Sequence, residues 1–302
     1  MSSIVPVALS RRAVETPLRR IAGDFASDAI AMAGLALLCA IVAAALLAPF
    51  ISPQNPYDLS QLDVMEGRLP PGAPAPHGVY WLGTDDQGRD MLSAILYGLR
   101  ISLGVGIVAT GFALVIGLVM GLAAAAMGGR MEALIMRVVD IQLSFPAILI
   151  ALILLAVLGQ GTGKIVLALV TVQWAYYART VRSAALVEQR KEYMEAARGL
   201  GLRPARIVFR HLLPNCLPPM IVVATVQVAS AIALEATLSF LGLGLPITEP
   251  SLGLLIANGY QYLLSGKYWI SFFPGIALVC TILSINLVAD QLRDVLNPRL
   301  QR

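Results

Sequence analysis

Charged residues make up only 13% of this 302-residue chain, against about 25% in an ordinary soluble domain. That deficit excludes a surface of normal size facing water. Histidine occurs twice, cysteine three times, and aromatic residues reach only 7%. Cys39, Cys216 and Cys280 each fall in or beside an apolar run, so neither a disulfide framework nor a metal spacing can be built from them. They read as small buried hydrophobes. His77, alone in a proline-rich stretch, reads as solvated. A scattered net charge of +4 is too weak to argue for nucleic acid. The sequence contains neither the HExxH pattern of a zinc hydrolase nor the GxSxG pattern of a serine hydrolase.

What is abundant is apolar. Hydrophobic residues form 58% of the chain and the mean hydropathy is +0.77. A helix needs about 20 apolar residues to cross the hydrocarbon of a bilayer. Six stretches approach that length: 29–50, 101–127, 134–158, 165–177, 217–245 and 270–289. The fold class is therefore all-α, a polytopic membrane protein with six transmembrane helices. The fourth stretch is short unless it runs on through Arg179. Arg19 and Arg20 precede the first, as in a signal peptide. Its apolar length exceeds the roughly 7–15 residues of a signal core, so it reads as an uncleaved helix.

Basic residues give the orientation. An arginine at mid-membrane costs about 2.5–3.5 kcal/mol, so arginines collect in loops, with the excess on the cytoplasmic side. With the N-terminus inside, only Arg68, Arg89, Arg100, Lys164 and Lys267 of the 22 basic residues lie outside. Both termini are then cytoplasmic. Residues 1–28 and 291–302 are cytoplasmic tails, 51–100 is an external loop, and 101–290 is the transmembrane core, with a cytoplasmic loop at 188–214.

The external loop opens with Pro53, Pro56, Pro70, Pro71, Pro74 and Pro76 and should be extended and irregular there. Its second half changes character at Trp81-Leu82-Gly83-Thr84-Asp85. Thr84 or Asp85 suits an N-cap. Leu92, Ile95, Leu96 and Leu99 then recur at helical spacing. The pattern predicts an amphipathic helix on the outer membrane surface, feeding the second span.

The cytoplasmic loop is a polar island between apolar runs. Residues 188–198 lack glycine and proline, and they are rich in helix formers. Tyr193, Ala196, Ala197 and Leu200 share one face at i, i+3, i+4 and i+7. That face is small enough for close approach by a partner. Glu192, Glu195 and Arg198 flank it. Gly201 suits a left-handed C-cap. Pro204 suits the first turn of a second short helix, ending near Leu212 before Pro214 and Asn215 return the chain to the membrane.

Glu195-Ala196-Ala197, then Gly201, then Leu213-Pro214, resembles the EAA loop of binding-protein-dependent ABC importer permeases. Three further blocks resemble the dipeptide/oligopeptide/nickel branch, and within it the second, C-type subunit. They are Trp81 to Asp90, Glu235-Ala236-Thr237-Leu238-Ser239-Phe240-Leu241-Gly242-Leu243-Gly244, and Phe273-Pro274-Gly275 with Asn286, Asp290, Arg293-Asp294 and Asn297-Pro298-Arg299. Two positions depart from the family pattern. His211 stands where the general motif is aliphatic, and Leu252 replaces the usual tryptophan after Pro250-Ser251.

The resemblance implies a type I importer permease fold and a mechanism. The EAA helix docks on a cytoplasmic ATP-binding subunit and moves with it, and the spans rock between inward and outward access. Glu192, Glu195, Ala196, Ala197, Arg198 and Gly201 then couple the permease to the ATPase. The implied partners are a second permease subunit, two ATP-binding subunits, an external substrate-binding protein and membrane lipid, in a bacterial inner membrane. No cofactor belongs to this chain, and ATP and Mg are bound by the partners. Peptides lead as substrate, with nickel chelates, glutathione and opine-like solutes open. A secondary transporter is the rival class, but it should show inverted repeats, and no convincing repeat is present.

Gly159-Gln160-Gly161-Thr162-Gly163-Lys164 looks like a phosphate loop but fails the GxxxxGK[ST] spacing, because Ile165 follows the lysine; it reads as a turn, and the chain as no enzyme. Glu235, inside the fifth span, reads as bonding a neighbouring helix or partner permease. Asp140 reads as an interfacial ion pair beside Arg137. Gly117 and Gly121 permit close helix packing.

Overall fold

The computed structural model describes residues 17–75 and 78–296. His77 and the Asn297-Pro298-Arg299 block lie outside them. Helix α1 (Pro17–Ala26) precedes α2 (Ala29–Ile51), whose first turn is capped by Asp28 through the amides of Ile30 and Ala31. A small hairpin pairs β1 (Ala73–Ala75) with β2 (Gly78–Tyr80). The other long elements are α3 (Met91–Met127), α4 (Gly129–Leu143), α5 (Ala147–Leu158) and α6 (Thr162–Glu188). Short α7 (Glu192–Gly199) and α8 (Pro204–Ile207) follow, then α9 (Leu213–Phe240), α10 (Leu252–Tyr260) and α11 (Trp269–Leu296).

The centre of the fold is the contact of α3 with α6. A β-carbon on Gly117 would lie 2.3 Å from Tyr177 Cβ, and one on Gly121 would lie 2.6 Å from the Ala178 carbonyl oxygen. Only glycine lets the two backbones come this close. The small-residue pair thus works within the chain. Helix α9 packs across α3 and α6, and α2, α10 and α11 complete the apolar cluster around Met91 and Ile270.

Among the described residues, four single helices are long and apolar enough to span a membrane, counting Pro204–Phe240 as one, and the bent pair α4–α5 makes a fifth. The one expected span left over, the fourth, corresponds to α6, which does run on past Arg179 to 27 residues. That is about 40 Å of helix, enough to cross. It falls short in apolarity because Lys164, Gln173, Arg179, Arg182 and Glu188 interrupt it.

Three expectations change. The segment 134–158 is not one straight span: it breaks at Ser144-Phe145-Pro146 with an 87° bend. Proline disfavours helix in the residue before it and supplies no N–H. The expected amphipathic surface helix is instead the buried start of α3. Ala94, Ile95, Leu96, Tyr97 and Leu99 are all buried, so the stretch is apolar all round and packs on α2, α10 and α11. Its cap is Asp90, whose Oδ2 accepts from the Ser93 amide at 2.8 Å and the Ser93 hydroxyl at 2.6 Å, rather than Thr84 or Asp85. Finally, α8 joins α9 through a π turn, Val208–Leu212. This turn sits just ahead of Pro214, which has no N–H to give the carbonyl of Arg210.

Candidate coupling site

The polar island projects from one end of the helix bundle, between the end of α6 and the start of α9. Helix α7 ends in a Schellman motif. The Leu202 amide donates to the Ala197 carbonyl at 3.3 Å and the Gly201 amide to the Arg198 carbonyl at 2.9 Å. Gly201 has φ +69°, the left-handed conformation expected of it. No atom lies within 4 Å of where its β-carbon would be, so glycine is required there for its backbone and not for space.

The loop is tied to both flanking helices. Glu188, at the end of α6, accepts from the Tyr193 hydroxyl and pairs with Lys191 at 2.7 Å. The Asn215 amide, at the start of α9, donates to that same hydroxyl at 3.2 Å. Burial, and then the bond to Glu188, push the Tyr193 phenol up to about 12. These bonds join α7 to both α6 and α9. This Glu188–Tyr193–Asn215 clasp is not visible in the sequence, because its members are brought together only by the fold.

The structure also divides the expected face. Met194 and Ala197 point inward, and Ala197 is only 5% exposed against Ile207, Leu212 and Cys216. Ala197 is small because it packs on its own chain. Glu192, Glu195, Ala196, Arg198 and Gly201 remain exposed. Two exposed apolar side chains extend the free surface: Leu200 at 79% and Phe209 at 67%. Phe209 was missed because it falls outside the period of α7.

Two polar groups outside the loop bond neighbouring helices, one buried and one exposed. Glu235 is fully buried and accepts from Ser102 of α3 at 2.9 Å and from Ser239 of α9 at 2.8 Å. Ser251, the N-cap of α10, also reaches its carboxyl. It clips three helices together, as a helix-bonding role requires. Asp140 does form an ion pair, but with Arg179 of α6 and not Arg137.

The region 113–302 matches the model of the binding-protein-dependent transport system inner membrane component family, and residues 16–71 match the N-terminal TM domain of oligopeptide transport permease C. The chain belongs to the binding-protein-dependent ABC importer permeases.

A Brucella suis protein provisionally named a peptide transport system permease is 42% identical to this permease over 268 residues, 89% of this chain and 87% of that one. The dipeptide transport permease DppC of Bacillus subtilis is 36% identical over 90% of this chain and 83% of its own length. The di/tripeptide permease DppC of Pseudomonas aeruginosa is 35% identical over 95% and 93%. Among solved structures, an inward-facing MetNI methionine ABC transporter aligns with TM-score 0.57 at 23% identity, covering 68% of this permease and 97% of that chain. That match shows the shared fold. Family members are permease components of these transporters. In this permease Gly159–Gly161 form the turn between α5 and α6, where the Gln160 side chain donates to the Gly242 carbonyl at 2.8 Å and the Thr162 hydroxyl to Glu249 at 2.7 Å.

Proposed function

We propose that this permease is one half of an ATP-driven import pathway for di- and oligopeptides across a bacterial inner membrane. The α7–α8 loop faces the cytosol and docks, through Glu192, Glu195, Ala196, Arg198, Leu200 and Phe209, on a separate ATP-binding subunit that holds ATP and Mg. Gly201 shapes the end of the docking helix, and Ala197 seats it on the bundle. Both termini are cytoplasmic, a second permease stands opposite, and a binding protein delivers substrate from outside. The names of the DppC relatives support peptide as the cargo.

The observation that carries this reading is the clasp. An exposed helix with charged and apolar side chains is joined rigidly to two long helices, which suits a lever and has no use in a passive loop. The test is ATP hydrolysis by the reconstituted complex. Hydrolysis should rise with peptide-loaded binding protein and stay flat with nickel chelates, glutathione or opine-like compounds. Stimulation by one of these in place of peptides would reassign the cargo. No stimulated hydrolysis with any binding protein would remove the importer reading.

A further inference from the structure

The half of the bundle nearest α7 holds a groove between α6, α9 and α11, with a volume of about 720 Å³. That lies within the roughly 300–1,000 Å³ of small-molecule sites. The apolar part of its wall is mainly valine and proline. Besides the exposed Tyr176 hydroxyl, three polar side chains on this apolar ground lack a partner among the described residues. The Gln227 carboxamide, midway along α9, makes no hydrogen bond among the described residues; only its backbone carbonyl is engaged, by Gln173 at 2.9 Å. Asp290 and Arg293, one turn apart on α11, form no ion pair with each other or with any described residue.

An unpaired carboxamide at the middle of an apolar span is costly against lipid, so it faces water or another molecule. Along α9 the groove runs from Asn215 to Gln227, about 18 Å at roughly 1.5 Å per residue. An extended peptide advances about 3.3–3.6 Å per residue, so about five residues fit. The groups match that ligand. A carboxylate suits an ammonium terminus, a guanidinium suits a carboxylate terminus, and a carboxamide donates to and accepts from a main-chain amide. A cation is a poor fit, since Asp290 is the only carboxylate among the described residues lining the groove.

We propose that this groove is a transit subsite for short zwitterionic peptides, in which Gln227 holds the main chain and Asp290 or Arg293 holds whichever charged terminus reaches α11. The assignment rests on the peptide reading above. The rival occupant is a helix of the second permease.

The test uses the complete complex with its binding protein in ATP-loaded vesicles, with tritiated alanyl-phenylalanine as probe. A photoreactive benzoylphenylalanine replaces Val226, which lines the same groove. Illumination during uptake should place tritium on this chain, and adding Gln227→Leu should cut that labelling at least ten-fold. In the chain with native Val226, Gln227→Leu alone should slow uptake at least ten-fold while the complex is recovered whole by gel filtration. Photoadducts with a second permease chain and none with peptide would overturn the subsite. So would uptake by Gln227→Leu within two-fold of the unaltered complex. An unaltered complex that imports no peptide overturns the cargo reading and the subsite together, whereas normal import with an unaffected Gln227→Leu overturns the subsite alone.

Discussion

The two ends of this permease treat polar residues in opposite ways. At the end bearing residues 52–90, polar groups are turned inward and bonded to one another. Thr84 donates to the Glu66 carbonyl at 2.6 Å and accepts from the Leu69 amide at 2.8 Å, and its own carbonyl takes the Trp269 indole N–H at 3.2 Å. The Asp90 amide donates to Gln54 at 2.6 Å, and the buried Arg89 reaches the Ile247 carbonyl at 3.1 Å. At the α7 end the charges other than the buried Glu188 stay in solvent, and only a few bonds, those of the clasp and the Schellman turn, define the shape. One end is built as a closed knot over the helices, the other as a handle. A substitution in the knot should therefore cost stability, and one in the handle should cost transport.

The largest effect is expected in the handle. Gly201→Pro cannot adopt φ +69° and loses the Gly201 N–H bond to Arg198. Glu195→Arg reverses an exposed charge. Either should reduce ATP-driven uptake to background while the protein still inserts in the membrane; normal uptake by either refutes the handle.

The knot answers differently. Thr84→Val keeps the shape but strands the Leu69 amide and the Glu66 carbonyl, at about 1–3 kcal/mol for each buried group. Thermal unfolding should come earlier by a corresponding amount, with transport per folded complex retained. An unchanged melting temperature would show that the knot does not support the bundle.

Asp85 sharpens the contrast through pH. Burial first of all, and the neighbouring Asp86 as well, push its carboxyl up to about 6, against the lowering pull of Arg89 and its amide bonds. Its folded pKa thus exceeds the unfolded one. The folded state holds the extra proton, so stability is greatest below about pH 4 and declines as pH rises through 6. Unfolding midpoints for Asp85→Asn should vary less between pH 4 and 7 than those of the unaltered chain, by up to about 2–3 kcal/mol. An equal pH dependence in both would contradict the buried-carboxylate account.

The smallest effect is expected from Gly201→Ala. There is room for the methyl group, so only the left-handed backbone resists, at about 1 kcal/mol. Uptake should be weakened rather than lost. A melting shift as large as that of Thr84→Val would mean the handle is more tightly built than its contacts indicate.

The long spans were readable because 20-residue apolar runs have few alternatives in water or lipid. The α7–Gly201 turn was readable because its signals are local. The sequence was least informative where distant residues decide. The α4–α5 bend at Pro146 was hidden because the mixed end of α4 and the apolar α5 together have the length of one span. Helix α10, with nine residues, is too short to register as a run. The inward turn of Ala197 depends on Ile207 and Leu212 packing beneath it, and the partner of Asp140 on α6 lying alongside α4. The charge rule still carries the orientation, since helix packing is blind to which side of the membrane is the cytosol.

Disulfide trapping tests the handle most directly. A cysteine replaces Glu195 in a chain whose three native cysteines are changed to alanine, and the complete complex is assembled with single cysteines placed over the surface of the ATP-binding subunit. The account expects a covalent product between this chain and that subunit, formed from the cytosolic side and altered by ATP. A residue 195 that reacts only with reagents added outside the cell, or that joins no ATP-binding subunit at any position, would contradict it.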